Sequence, residues 1–183
     1  LSMLNGQFAF AIWDKKDEEL FIARDRMGIR PVFYHYENGQ LSFASEIKSI
    51  FENSSVKRAF SYHHLLQQQT YWTTLTPATV FEGINELSPG HYLRWNSRGL
   101  EVKQFWQLNY GTEHPVRSLN DYLEEFDSIL SDSVRIRLRA DVEVAAYLSG
   151  GIDSAATVRY IKEIEPDVLN TFSITFGEKD FDE

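Results

Sequence analysis

The stretch Tyr147-Leu148-Ser149-Gly150-Gly151-Ile152-Asp153-Ser154 joins a strand-like run to a helix-like run. Before it, Val142-Glu143-Val144-Ala145-Ala146-Tyr147-Leu148 is mostly apolar and partly β-branched, the composition of a buried strand. After it, residues 154–165 alternate apolar and polar side chains at helical spacing, with Ala155, Val158, Ile161 and Ile164 on one face. Two glycines at such a turn let the backbone approach a bound anion closely. The helix that follows aims its free N–H groups and positive dipole end at the same spot. Ser149 and Ser154 add hydroxyl donors, and Asp153 adds a carboxylate able to face a magnesium ion. The pattern outlines a pyrophosphate site. The bland alternative is a glycine-rich turn that merely connects a strand to a helix.

A Walker A loop would place a lysine before its Ser/Thr to reach the terminal phosphates. Asp153 stands there instead, and a carboxylate beside phosphate makes sense only with a metal between them. The S-G-G-x-D-S pattern resembles the PP-loop of ATP pyrophosphatases. That resemblance implies cleavage of ATP between its α and β phosphates, with AMP left on a carboxylate or carbonyl oxygen of the substrate.

Outward from the loop, Leu169 to Phe176 reads as a second strand, which completes a βαβ unit with the ligand loop at the carboxyl end of its first strand. Ser118-Leu119-Asn120-Asp121 is a capping-box start. Leu119, Tyr122, Phe126, Ile129, Ser133 and Ile136 follow at spacings of three or four, the stripe of an amphipathic helix of about five turns whose apolar face belongs to a core. Residues 109–117 are polar and carry both Gly and Pro, and the linker is placed at 111–117.

Residues 1–110 read as antiparallel β. Gln7–Trp13 and Leu20–Arg24 form one hairpin, and Val32–Tyr36 and Leu41–Ala44 form another across Asn38-Gly39, a type I′ turn signal. Ser45 is expected to cap a short helix starting at Glu46, and residues 62–70 a second one. Residues 77–90 read as loop-rich, before a third hairpin from His91–Trp95 and Leu100–Trp106 across residues 96–99. Between the first two hairpins lies Arg24-Asp25-Arg26-Met27-Gly28-Ile29-Arg30-Pro31. Here a structural corner, tied by Arg24 and Asp25 to neighbouring backbone, is favoured over a catalytic role, because charged turn residues more often cap than react.

The composition narrows the function classes. A hydrophobic share of 43% and aromatic share of 14% are those of a folded domain, not a disordered chain. The net charge of −9 argues against general affinity for nucleic acid or anionic membrane, and no apolar run approaches a membrane span. The local cluster Arg135, Arg137 and Arg139 fits solvated helix faces and C-terminal dipole partners. With no cysteine, disulfides, thiolate metal sites and a cysteine nucleophile are excluded within these residues, and the cytoplasm is the expected location. The five histidines show no metal-ligand spacing.

In order along nearly the whole chain, the sequence resembles the glutamine-hydrolysing asparagine synthetases. Residues 8–14 and 23–31 resemble later strands of a class II, N-terminal-nucleophile glutaminase. Phe43-Ala44-Ser45-Glu46-Ile47-Lys48 resembles the junction that follows them. Phe81-Glu82-Gly83-Ile84 with Leu87-Ser88-Pro89-Gly90-His91-Tyr92-Leu93 resembles the hairpin that closes that domain. The implied fold class is α/β plus α+β. The C-terminal part of a glutaminase, with antiparallel β layers and helices, occupies 1–110, and the start of a parallel α/β PP-loop domain occupies 118–183.

The resemblance implies small-molecule substrates, namely glutamine, aspartate and ATP, with Mg²⁺ as cofactor and no nucleic-acid or membrane partner. Glutamine supplies ammonia, and aspartate is amidated through aspartyl-AMP. Ser149, Gly150, Gly151, Asp153 and Ser154 would hold pyrophosphate and magnesium, with Asp153 as the metal ligand, while Leu148 and Ile174 would meet the adenosine through strand-end backbone. The family's N-terminal cysteine and its glutamine-holding segments have no counterpart here, and its later catalytic groups would follow Glu183. On this reading the residues are an internal fragment that carries no catalytic residue and is inactive alone. The resemblance allows a homodimer of the full-length protein. Related ligases that adenylate another carboxylate (β-lactam synthetases, lasso-peptide cyclases, polysaccharide-cluster amidotransferases) remain alternatives, as does a non-catalytic scaffold that kept the fold.

Overall fold

A computed structural model of the chain describes residues 1–111, 116–167 and 169–175. The chain divides into two compact units, Leu1–Thr112 and Glu113–Glu183. Of the linker expected at 111–117, residues 112–115 lie outside the described residues, as does Phe176 of the strand expected at 169–176.

In the first unit, β1 (Ala9–Asp14) and β2 (Glu19–Arg24) pair antiparallel, and β2 continues the sheet through β6 (His91–Asn96) to β7 (Gly99–Gln104), in the order β1-β2-β6-β7. A second sheet runs β4-β3-β5, from β3 (Phe33–Glu37), β4 (Gln40–Ala44) and β5 (Ile84–Glu86). Asn38 and Gly39 take φ of 50° and 78°, the positive values that a type I′ turn requires at both central residues.

Strand alternation explains the layering. Tyr34 and Tyr36 of β3 face a core shared with Ile22 and Leu93 of the first sheet, together with Val32 and Leu87. Phe33, one step along, turns to the opposite face, where Ile84, Ile50 and Val56 form a second core with Phe51 and Phe81. The short helix α1 (Ile47–Ile50) covers that face. The β4-β3-β5 sheet is thus apolar on both sides. The face of the first sheet away from the shared core carries Phe10, Phe21 and Tyr92, with the Arg94 guanidinium 6.0 Å and 5.6 Å above the Phe21 and Tyr92 rings.

One expectation for this unit is sharpened and one is corrected. The loop-rich stretch 77–90 contains one short strand, β5. Its Asn85 and Glu86 carry no strand signal of their own, and they are extended because β3 offers a free edge at Phe33 and Tyr34. Ser45 does not cap α1. Glu46 occupies the N-cap position without a side-chain cap bond, and its carboxylate pairs with Lys48 at 2.5 Å instead. The helix expected over 62–70 is present as α2 (Tyr62–Tyr71).

The second unit comprises α3 (Leu119–Arg137), β8 (Ala145–Tyr147), α4 (Ile152–Ile164) and β9 (Asn170–Phe172). The capping box forms as its sequence predicts: the Ser118 hydroxyl accepts from the Asp121 N–H, and the Asp121 carboxylate accepts from the Ser118 N–H. β8 and β9 pair in parallel on either side of α4, which is the βαβ arrangement. Both strands are shorter than the runs expected at 142–148 and 169–176, since pairing is confined to Ala145–Tyr147 against Asn170–Phe172.

The face of α3 that is buried also differs from expectation. Leu119, Phe126 and Ile129 are 72%, 62% and 59% exposed, so the stripe read as core is largely open among the described residues. Val134 is buried instead, flanked one turn away on each side by Leu130 and Leu138, and packs against Tyr160 and Ile161 of α4. Two adjacent apolar faces compete on α3, and the one opposite α4 wins the contact. On α4 itself Ala155 is exposed, and Tyr160 takes the buried place. The Tyr160 hydroxyl donates to Asp127 on α3 at 2.5 Å, and this bond raises its pKa above the ordinary value because the neutral phenol is the donor. No described helix is long and apolar enough to cross a membrane.

Candidate functional site

The loop at Ser149–Ser154 leaves the carboxyl end of β8 and enters α4. α4 begins at Ile152, so Asp153 and Ser154 lie inside the first helical turn rather than ahead of it. Gly151 is the N-cap and makes no side-chain cap bond, so the first amides of this 13-residue helix have no partner within the helix. Those amides and the helix dipole converge in front of the loop.

The two glycines do different jobs. Gly150 has φ +90°, a conformation that a side chain strains. Gly151 sits in ordinary extended backbone, at φ −73° and ψ 157°, and a Cβ there would meet only the Ser149 Oγ at 3.5 Å. Neither conformation nor packing demands a glycine at 151. Its missing side chain leaves the helix N-terminus uncovered except by the Ser149 hydroxyl. Gly151→Ala is therefore expected to unfold within about 1 kcal/mol of the wild type, because alanine's weaker N-cap preference is offset by its lower unfolded-state entropy. A larger loss in denaturant unfolding would assign Gly151 to the fold instead.

The hydroxyls organise the loop internally. Ser154 Oγ donates to the Gly151 carbonyl at 2.9 Å and accepts from the Ser149 N–H at 3.3 Å, while the two serine Oγ atoms lie 3.2 Å apart. Asp153 is exposed in the first turn, where its negative charge also suits the helix dipole. Among the described residues, no three His, Cys, Asp or Glu side chains gather as a metal centre. A magnesium ion at Asp153 would thus be shared with phosphate oxygens, as that ion prefers.

Leu148 and Ile174 lie beyond the last paired residues of the two parallel strands, at the same carboxyl edge as the loop. Leu148 donates its N–H to the Phe172 carbonyl at 2.9 Å. Its own carbonyl accepts from the Ser173 hydroxyl at 2.5 Å. Ser173 carries no motif signal in the sequence, and only strand pairing brings it to the loop. Ile174 is exposed. The sequence-derived set is therefore assembled at one edge, with Ser173 added to it.

The Arg24–Pro31 corner belongs to the first unit and is structural in its contacts. Asp25 is buried and its two oxygens accept from the backbone N–H groups of Phe8, Met27, Ile29 and Arg30, at 3.0–3.3 Å. Burial alone pushes its carboxyl pKa up, but these four donors together outweigh burial and hold it below the ordinary value. Arg24 donates to the carbonyls of Arg30, Leu87 and Gly28 and pairs with Glu86 at 2.7 Å. Both charged groups are spent on backbone carbonyls and N–H groups, with Glu86 as the one side-chain partner of Arg24 among the described residues.

Comparison with known proteins agrees with this architecture. Residues 1–106 match the family described as glutamine amidotransferase domain, and residues 125–183 match asparagine synthase. The chain is 36% identical over 182 residues to a glutamine-hydrolysing asparagine synthetase of Bacillus subtilis (strain 168), an alignment that covers 97% of this chain and 29% of that protein. A second glutamine-hydrolysing asparagine synthetase of the same organism is 35% identical over 199 residues, covering 96% of this chain and 25% of its own length. An amidase of Penicillium rubens is 38% identical over 168 residues, 90% of this chain and 24% of that protein. The chain thus spans about a quarter to under a third of the length of these relatives. Because the first match runs through residues 1–106 of 183, the chain belongs to the glutamine amidotransferase domain family, and the match to asparagine synthase follows it over residues 125–183.

Proposed function

We propose that this chain is part of a glutamine-dependent asparagine synthetase, with a glutaminase segment at 1–110, a linker at 111–117 and the front of the synthetase segment at 118–183. In the reaction proposed for the whole protein, the side-chain carboxylate of aspartate attacks the α-phosphorus of ATP and pyrophosphate leaves. Ammonia released from glutamine then displaces AMP from the aspartyl-adenylate to give asparagine. The observation that carries the reading is the N-terminus of α4, entered through a glycine without a side-chain cap just after the carboxyl end of a parallel strand, with only the Ser149 hydroxyl near where a Gly151 side chain would stand.

The residues have separable tasks. The amides at the start of α4, with Ser149 and Ser154, would receive the oxygens of the departing pyrophosphate, where negative charge grows in the transition state. Gly150 supplies the turn, and Gly151 the clearance. Asp153 would hold Mg²⁺, which supplies charge neutralisation at the phosphates when bound. Leu148 and Ile174 would receive the adenosine at the strand ends. The same reading places the protein in the cytoplasm and allows a homodimer of the full-length protein.

A second reading, a ligase of the same design acting on a different acceptor, draws support from the similarity to an amidase. Release of pyrophosphate that depends on aspartate separates the two readings. Mg·ATP binding tests what they share. The full-length protein is expected to bind Mg·ATP saturably by calorimetry, and Asp153→Ala to weaken it by about 10- to 100-fold, the loss expected when an ion loses its protein carboxylate. Absence of saturable binding by the wild type would remove the ligase reading and leave a scaffold that kept the fold.

A further inference from the structure

We propose that Ser173, which lies outside the glycine-rich loop and just past the end of β9, is a positioning residue for the proposed phosphate site. The inference rests on the proposed function above and adds a residue to it.

Regular pairing of β8 with β9 ends at Tyr147 opposite Phe172. One residue further, the Leu148 N–H still reaches the Phe172 carbonyl at 2.9 Å, and the Ser173 hydroxyl then takes the Leu148 carbonyl at 2.5 Å. A side chain thus carries the strand contact past the end of the ladder. The bond it makes is strategic because the Leu148 carbonyl and the Ser149 N–H belong to one peptide plane. Fixing the oxygen sets the direction of that N–H, the first donor of the loop.

On the other side of the plane, the Ser149 N–H points to Ser154 Oγ at 3.3 Å, and Ser154 Oγ donates to the Gly151 carbonyl at 2.9 Å. Ser149 Oγ lies 3.2 Å from Ser154 Oγ and 3.5 Å from the Gly151 N–H. A continuous run of hydrogen bonds therefore leads from Ser173, the residue after β9, through one peptide plane to the N-cap of α4. Ser154 and Ser149 are also the hydroxyls assigned to phosphate, so they turn from each other toward the ligand when it arrives. Ser173 is not among them. Its bond to Leu148 persists in both states and keeps the strand end fixed while the loop hydroxyls exchange partners.

The test measures binding of Mg·pyrophosphate, which carries no nucleoside, and of Mg·ATP to the full-length protein and its Ser173→Ala and Ser173→Thr variants, alongside thermal unfolding. Ser173→Ala is expected to weaken both ligands by about three- to tenfold, the effect of one hydrogen bond, with little change in Tm. Ser173→Thr, which keeps the hydroxyl, is expected to restore both. Wild-type affinity in Ser173→Ala overturns the inference. So does a loss confined to Mg·ATP, which would make Ser173 a nucleoside contact, or a failure of threonine to restore binding. If the wild type binds neither ligand, the proposed function itself fails; if it binds and Ser173→Ala binds equally, only this inference does.

Discussion

Asp25→Ala is expected to destabilise the first unit by about 3–5 kcal/mol, a large fraction of the stability of an ordinary domain. The carboxylate is the shared acceptor for four backbone donors that belong to two separate segments, Phe8 just ahead of β1 and Met27, Ile29 and Arg30 of the corner. Removing it leaves those N–H groups without their acceptor at a buried position, and a hydrogen bond to a charged acceptor is among the stronger ones. Asp25→Asn is expected to recover little, since its amide turns two donors toward N–H groups that are donors themselves. Denaturant unfolding at neutral pH measures both variants, and a loss below about 1 kcal/mol for alanine would show that water replaces the carboxylate without penalty. The same group gives a pH dependence. Because its folded pKa lies below the ordinary 3.8, its stabilisation is complete above 3.8 and is lost as the pH falls through the lower folded value. Wild-type stability is expected to drop across that acid window, and the Asp25→Asn variant to lack that component of the drop.

Gly90→Ala is expected to cost about 3–4 kcal/mol, from left-handed backbone strain added to a collision with main chain. Gly90 has φ +67°, and a Cβ built on it would stand 2.4 Å from the Trp106 carbonyl oxygen. The backbone cannot retreat easily, because Gly90 donates its N–H to the Asp25 carbonyl at 2.9 Å and accepts from the N–H groups of Phe105 and Trp106. This one residue joins the corner to the exit of β7. Gly39 makes the control, with φ +78° and nothing within 4 Å of an added Cβ. Asparagine tolerates the left-handed region, so Gly39→Asn should be nearly neutral while Gly90→Asn remains severe. Equal unfolding midpoints for the two asparagine variants would remove the packing argument and leave conformation alone.

Much of the glycine-rich loop was legible because its physics is local. A strand, two glycines, a hydroxyl pair and an acid before a helix are read from consecutive residues, and the parallel βαβ arrangement follows. The exception within the motif is instructive. The sequence treats Gly150 and Gly151 alike, whereas the backbone requires only the first, and that difference singles out the second as the position whose missing side chain is not explained by the fold. Ser173 could not be read as part of the site. Nothing in Phe172-Ser173-Ile174 marks it, and its place beside Leu148 depends on how far β8 and β9 stay paired. The α3 stripe failed for a related reason. Periodicity identifies an apolar face but not its partner, and the neighbouring line Leu130, Val134 and Leu138 is the one that meets α4.

The three hairpins, the Asn38-Gly39 turn, the Ser118–Asp121 capping box, the switch from antiparallel β to α/β grammar, and the loop at Ser149–Ser154 are all encoded locally. Each rests on dihedral preferences or hydrogen bonds between residues a few positions apart, so a short window holds all the information. Only the tertiary structure decided that Asn85 and Glu86 form a strand on β3, that Asp25 reaches back to Phe8, that Tyr160 is buried and holds Asp127, and that Ser173 grips the loop's first peptide. In each of these a residue's state is set by a partner distant in sequence, and no local preference specifies which partner will be there.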